Sequence, residues 1–292
     1  MNILSFDIEE WYLEKQNPGN HLERLKEFDR YLNEILDLLD ERKLKATFFC
    51  VGGMASDFPQ VVRLIESRGH EIGCHSFLHT WLNKMQPEEV FDDTKRAVDT
   101  LEQCIGKKII SYRAPAFSIG ENNPWAFEIL AQCGIERDSS IFPAARDFGG
   151  FPSFGHNTPV IVEHEGVRLK EFPISTTFLL RKQLAYSGGG YFRFFPLWFV
   201  KREMSRSEYA MCYFHLGDII PETSQIMSRT AYEAYFKENG SWFNRYKRYI
   251  KANLGKKGAY AKMRALICDT EFINLQHADS IINWTEVPVV EL

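Results

Sequence analysis

The sequence predicts an α/β fold built on a parallel sheet or barrel, and three observations carry that prediction. Short apolar stretches alternate with amphipathic helical ones through the first half of the chain. Three of these stretches end at a residue able to do chemistry (Asp7, His75 and Arg113), as strands do when their C-terminal ends share one mouth. No internal repeat or low-complexity segment interrupts the pattern.

Residues 2–8 alternate and then run into acids, the pattern of a buried strand whose end faces a site. Residues 21–42 carry Leu22, Leu25, Phe28, Leu32, Ile35, Leu36 and Leu39 at helical steps. Residues 46–51 form a short apolar strand closed by Gly52 and Gly53, residues 58–67 a helix capped by Gly69, and residues 71–75 a third strand. Pro87 opens a helix running to about Ile105. Residues 109–113 read as a strand and 124–134 as a helix. The second half is less regular: a Gly-, Pro- and Phe-rich loop over 147–159, then strands over 167–174 and 209–214, the latter ending at His215.

At 292 residues, 45% apolar and 25% charged, the chain has the composition of an ordinary globular protein. Its net charge of −4 gives no general drive toward nucleic acid. Six scattered cysteines with no CxxC pair read as free thiols. No apolar run approaches the ~20 residues of a membrane span. Residues 2–7 run from Met1 straight into a strand, so a cytoplasmic location is expected.

The most informative motif is His75-Ser76-Phe77-Leu78-His79. On a helical turn, imidazoles four residues apart point the same way and can share one divalent ion. Two histidines and a carboxylate with open positions make a catalytic metal site rather than a closed structural one. A metal hydrolase also needs an unligated carboxylate to take a proton from water. Asp7 is therefore assigned as the base and Glu9 as the ligand, with Glu10 as the fallback ligand. Arg113, in Ser111-Tyr112-Arg113-Ala114-Pro115, can hold a neighbouring carboxylate ionised and aimed. His215 can protonate a leaving amine. The donor set accepts Zn²⁺, Fe²⁺, Co²⁺ or Ni²⁺. Trp125 and Asp138 are expected to shape a sugar site, and Tyr191 to belong to an aromatic rim.

Taken in order, Asp7 with a nearby acid, His75-Ser76-x-x-His79, Arg113-x-Pro115 and a late strand ending in Phe214-His215 resemble the polysaccharide deacetylase family, with its NodB homology domain. The segments 170–175 and 188–196 look more narrowly like the subgroup found beside bacterial exopolysaccharide gene clusters. The resemblance covers about residues 3–220. It implies an irregular (β/α) barrel of about seven parallel strands and removal of an acetyl group from an N-acetylated glycan. It also implies a metal, usually zinc, on Glu9, His75 and His79, and the backbone N–H of Ala116 as an oxyanion donor. Two departures stand out: Ile8 occupies the place of a second aspartate, and His215 is followed by Leu216-Gly217-Asp218 where Pro-Trp-Glu is common. Competing functions are an allantoinase-like amide hydrolase, a de-O-acetylase and a glycan-binding protein without turnover.

Residues 1–240 are assigned to the barrel and 241–292 to a basic helical extension packed on it. Residues 241–264 hold eight basic residues and no acidic one, with Trp242, Phe243, Tyr246, Tyr249 and Ile250 at helical spacing on the opposite side. Such a helix can contact an anionic membrane from the cytoplasmic side.

Overall fold

The computed structural model describes residues 1–16, 21–146, 149–220, 225–236 and 238–292. Its strands are β1 (Asn2–Ile8), β2 (Thr47–Cys50), β3 (Glu71–Cys74), β4 (Ser111–Tyr112), β5 (Arg137–Asp138), β6 (Val160–His164), β7 (Val167–Glu171), β8 (Thr176–Leu179), β9 (Lys182–Ala185), β10 (Ala210–His215) and β11 (Val289–Glu291). The main sheet has the order β10-β1-β2-β3-β4-β5-β7-β6-β11. From β10 to β7 every neighbouring pair is parallel, which makes the seven parallel strands of the expected α/β fold. β6 returns antiparallel to β7, and β11 adds to β6. β8 and β9 form a separate hairpin.

Side chains, rather than a strand ladder, bridge from the end of β7 back to β10. The Tyr209 hydroxyl donates to the Pro173 carbonyl at 2.8 Å, and the Met211 N–H donates to Ser175 Oγ at 2.7 Å. Pro173 has no N–H to offer a ladder, so this seam suits an irregular barrel.

Helices cover the outside. Leu22–Glu41 buries Phe28, Tyr31, Leu32, Ile35, Leu36, Leu38 and Leu39 on one stripe. Pro87–Ile105 starts with a capping box between Gln86 and Glu89 and ends at Gly106 in the left-handed conformation. One apolar cluster fills the space between sheet and helices; a second, with Ile3, Phe49, Phe117, Phe142, Phe172, Met211 and Tyr213, lies inside the barrel.

Residues 241–292 contain three helices, Trp242–Asn253, Ala259–Asp269 and Leu275–Ile281. Beside them, β11 extends the main sheet, and Ile273 bridges Ile3 on β1. Met263, Leu266 and Ile267 join the core cluster beneath the sheet's helices, so this stretch packs on the barrel. The expected loop over 147–159 holds one short 3₁₀ turn, Pro152–Phe154; Asp147 and Phe148 lie outside the described residues.

Candidate metal centre and active site

Strand alternation aims the chemistry inward. On β1, Leu4, Phe6 and Ile8 pack toward the helices, leaving Ile3, Ser5 and Asp7 for the barrel interior. β10 repeats the rule with Met211 and Tyr213 inside, so His215 follows them, in register with Asp7. On β3, Ile72 and Cys74 face outward, which turns Gly73 and His75 in. Tyr112 on β4 faces outward, which turns in Ser111 and Arg113. Gly73 is small for a reason: a Cβ there would sit 2.5 Å from the Phe49 ring.

The histidine motif is a loop beyond β3, not the helical turn expected from its spacing. Ser76 and His79 adopt positive φ (60° and 56°), and Ser76 Oγ accepts the His79 N–H at 2.9 Å. Gly52 and Gly53 donate to the carbonyls of Ser76 and Phe77. From the other side, Asp93 on the helix Pro87–Ile105 accepts the N–H groups of Phe77 at 2.7 Å and Leu78 at 2.9 Å. Sequence reading missed Asp93 because its partners lie about four helical turns away in chain position and on another element.

Nε2 of His79 is 2.5 Å, and Nε2 of His75 3.8 Å, from the same Glu9 carboxylate oxygen. One ligand atom from each of the three residues lies within 4.8 Å of the others, a group able to hold a metal ion. The donor chemistry fits. Nδ1 of His75 meets the Arg113 carbonyl at 2.7 Å. A carbonyl only accepts, so Nδ1 carries the proton and Nε2 presents its lone pair. That Nε2 is buried and has no hydrogen-bond partner, as is Nδ1 of His79. Burial would raise the Glu9 carboxyl, but the His79 and His215 charges, with the close contact to His79, hold it well below the usual range.

Glu9 lies just past β1, as the residue preceding the helix Glu10–Lys15. Glu10, the fallback ligand, turns elsewhere and accepts the Gly217 N–H at 2.6 Å. Burial, reinforced by the Glu9 charge, pushes its pKa up to about 7.

Asp7 stands beside the trio without belonging to it. Arg113 donates to it at 2.7 Å and also reaches Ser5 Oγ, Ser139 Oγ and the Ser139 carbonyl. Its guanidinium stacks 4.2 Å from the Phe49 ring centre. His215 places Nε2 3.5 Å from Asp7 and 4.0 Å from Glu9, while Nδ1 meets Asp218 at 2.9 Å. Burial disfavours the charged ring, yet Glu9, Asp218 and Asp7 push its pKa up to about 10. Its side chain is 25% exposed, against 2% for Asp7, which puts His215 at the solvent side of the group.

Ala116 and Phe117 both have positive φ (56° and 54°). Consecutive strained residues of this kind cost ~1–3 kcal/mol each and cluster at functional sites. Among the described residues, four of the eight non-glycine residues with positive φ, namely Ser76, His79, Ala116 and Phe117, lie in the two loops at this mouth. Gly149 lets a neighbouring segment close on the Ala116 turn: a Cβ there would meet the Ala116 carbonyl at 2.4 Å.

The three sugar-site candidates fare differently. Trp125 is half-buried against the outer core, and Tyr191 is half-buried with its ring 6.1 Å from that of Phe142. Asp138 is fully buried, which corrects its placement in a sugar cleft. Its carboxylate binds the N–H and hydroxyl of Ser140 and faces Glu171 across the β5–β7 ladder.

Residues 23–137 match the family described as polysaccharide deacetylase. Over that stretch the chain is similar to the polysaccharide deacetylases. Residues 139–279 match a domain of unknown function, DUF3473. The deacetylase match contains His75, His79 and Arg113, and the second contains Ser139, His215 and Asp218, so one site draws on both. A peptidoglycan-N-acetylglucosamine deacetylase of Bacillus cereus is 32% identical over 127 residues, 41% of this chain and 46% of its own length. A chitooligosaccharide deacetylase of Bradyrhizobium is 26% identical over 98 residues, 34% of this chain and 42% of its own. The matches thus span less than half of these two relatives. A protein from Mycobacterium smegmatis, assigned as a polysaccharide deacetylase, shares the fold at a TM-score of 0.63 and 18% identity, over 100% of this chain and 92% of its own.

Proposed function

We propose that this chain hydrolyses the acetamide of an N-acetylated sugar within an oligo- or polysaccharide, releasing acetate and a free amine. One observation carries the reading: a metal-capable trio, Glu9, His75 and His79, lies beside a separate buried carboxylate held by Arg113 and an imidazole 3.5 Å from it. The names of the relatives point to N-acetylated glycans as the substrate class.

Glu9, His75 and His79 would hold one divalent ion, zinc first and Fe²⁺, Co²⁺ or Ni²⁺ as alternatives. Such an ion supplies Lewis acidity toward the amide carbonyl and lowers the pKa of water. Asp7 takes the proton from the attacking water, aimed by Arg113. The Ala116 N–H stabilises the oxyanion. His215 protonates the departing nitrogen as the C–N bond breaks, and Asp218 fixes its ring. Trp125 and Tyr191 form parts of the sugar wall in this reading.

Six free cysteines suit a reducing compartment, and the proposal places the chain in the cytoplasm, peripheral at the inner membrane face. Among the described residues no helix is long and apolar enough to cross a membrane.

Elemental analysis of the purified chain should find about one divalent ion per chain, as for a three-ligand site. A chelator should remove it and stop acetate release from N-acetylated oligosaccharides, and zinc should restore release. A chain that binds such glycans without metal and releases no acetate would overturn the proposal.

A further inference from the structure

The helix Trp242–Asn253 is packed inside out. Its arginines face the protein: Arg245 donates to the carbonyls of Gly240 and Met227, and Arg248 lies 4.2 Å over the Phe236 ring. Its apolar stripe faces solvent, with Trp242 61% and Phe243 69% exposed and Tyr246 and Ile250 exposed beside them. The Trp242 and Tyr246 rings stack at 4.8 Å, nearly parallel. Lys247 and Lys251, also exposed, border it.

The exposed apolar surface continues past the helix. Leu254 follows it, and next to Leu254 the Arg193 side chain binds the carbonyls of Lys251 and Ala252. Phe194, the next residue, and Trp198 on the helix Leu197–Arg206 are both about two-thirds exposed. From that helix, Glu203 accepts a hydrogen bond from Thr177 at the base of the β8–β9 hairpin. The hairpin tip carries Phe178 at 72% and Leu180 at 92% exposure, followed by exposed Arg181 and Lys182. Leu180 and Arg181 both have positive φ, so the turn holds these side chains out on a strained backbone.

We infer that this surface, formed by the outward stripe of Trp242–Asn253, Phe194, Trp198 and the β8–β9 tip, docks the protein on an anionic lipid bilayer. Exposed apolar patches of this extent mark interaction sites. Tryptophan and tyrosine favour the bilayer interface, and lysines at the border can bury their stems while their ammonium groups reach lipid phosphates. The charge complementarity selects an anionic membrane: Lys247 and Lys251 are exposed beside the stripe, and Arg181 and Lys182 are exposed at the hairpin. The inference deepens the membrane-face location proposed above and stands independently of the catalytic assignment.

The full chain should co-sediment with vesicles of phosphatidylcholine and phosphatidylglycerol, and only weakly with phosphatidylcholine alone. Trp242→Ser with Phe243→Ser, and separately Phe178→Ser with Leu180→Ser, should each weaken partitioning at least ~10-fold. Lys247→Glu with Lys251→Glu should remove the preference for anionic lipid. All these side chains are exposed, so melting temperature and acetate release from a short soluble oligosaccharide should stay at wild-type values. Equal binding to both vesicle types would overturn the inference, as would apolar variants that bind like wild type. A wild-type dimer that the apolar variants dissolve, with no vesicle binding, would assign the surface to a second copy of the chain instead.

Discussion

The guanidinium of Arg113 and the carboxylate of Asp7 meet at 2.7 Å inside the barrel, with both side chains shielded from solvent. Removing one partner of such a pair leaves an uncompensated buried charge and costs ~3–5 kcal/mol. Arg113→Met should therefore lower the denaturant midpoint severely. Asp7→Asn should cost less stability, because an amide oxygen still accepts from Arg113. An amide cannot take a proton from water, however, so acetate release should fall at least ~100-fold. Near wild-type turnover in Asp7→Asn would remove Asp7 from the base role.

The His215 ring is aimed by Asp218 at 2.9 Å, and Asp218 is also 3.4 Å from Arg193. Burial would raise the Asp218 carboxyl, but its hydrogen bond to His215 and the His215 and Arg193 charges keep it below its ordinary value. His215→Ala should cut amide turnover at least ~100-fold, and Asp218→Asn by at least ~10-fold with little change in KM. An activated acetyl ester, whose leaving group departs without a proton, should lose far less in both variants. Equal losses on amide and ester would mean that His215 does something other than protonate the leaving group.

Much of this site was legible in the chain because its parts are local. Asp7, His75, Arg113 and His215 each close an apolar stretch, and strand periodicity turned them all to one side. The supports were not legible. Ser139 meets Arg113 from just past a two-residue strand too short to show a period, and Asp93 reads as one polar residue on a helix full of them. The positive φ of Ala116 has no residue-type signal, since glycine is the usual marker. The same limit explains the tail. Amphipathic spacing showed that two faces exist, but which face turns inward depended on Phe236, Gly240 and Met227, all outside that helix.

Asp93 should control metal affinity without touching the metal. Its carboxylate ties down Phe77 and Leu78, the residues between Ser76 and His79, and so sets where the second imidazole points. Outer supports of this kind are typically worth ~10–100-fold in metal affinity. Asp93→Ala should show that loss in competition with a coloured chelator. A variant with a lower melting temperature but unchanged affinity would limit Asp93 to a structural role.

The Asp138–Glu171 pair should make stability depend on pH. Burial and the Asp138 charge raise the Glu171 carboxyl well above its ordinary value, and burial, partly offset by hydrogen bonds, raises Asp138. Both folded values lie above those of the unfolded chain, so their contribution is complete in acid, below the ordinary carboxylate range. It is lost as pH rises through the folded values. Stability should thus fall toward alkaline pH, by at most ~1.4 kcal/mol per pH unit for each proton released. Glu171→Gln keeps an acceptor for the Ile141 N–H and carries no titrating proton. Urea midpoints across neutral and alkaline pH should fall less steeply in this variant than in wild type. Identical slopes would show that the buried pair is not the source of the pH dependence.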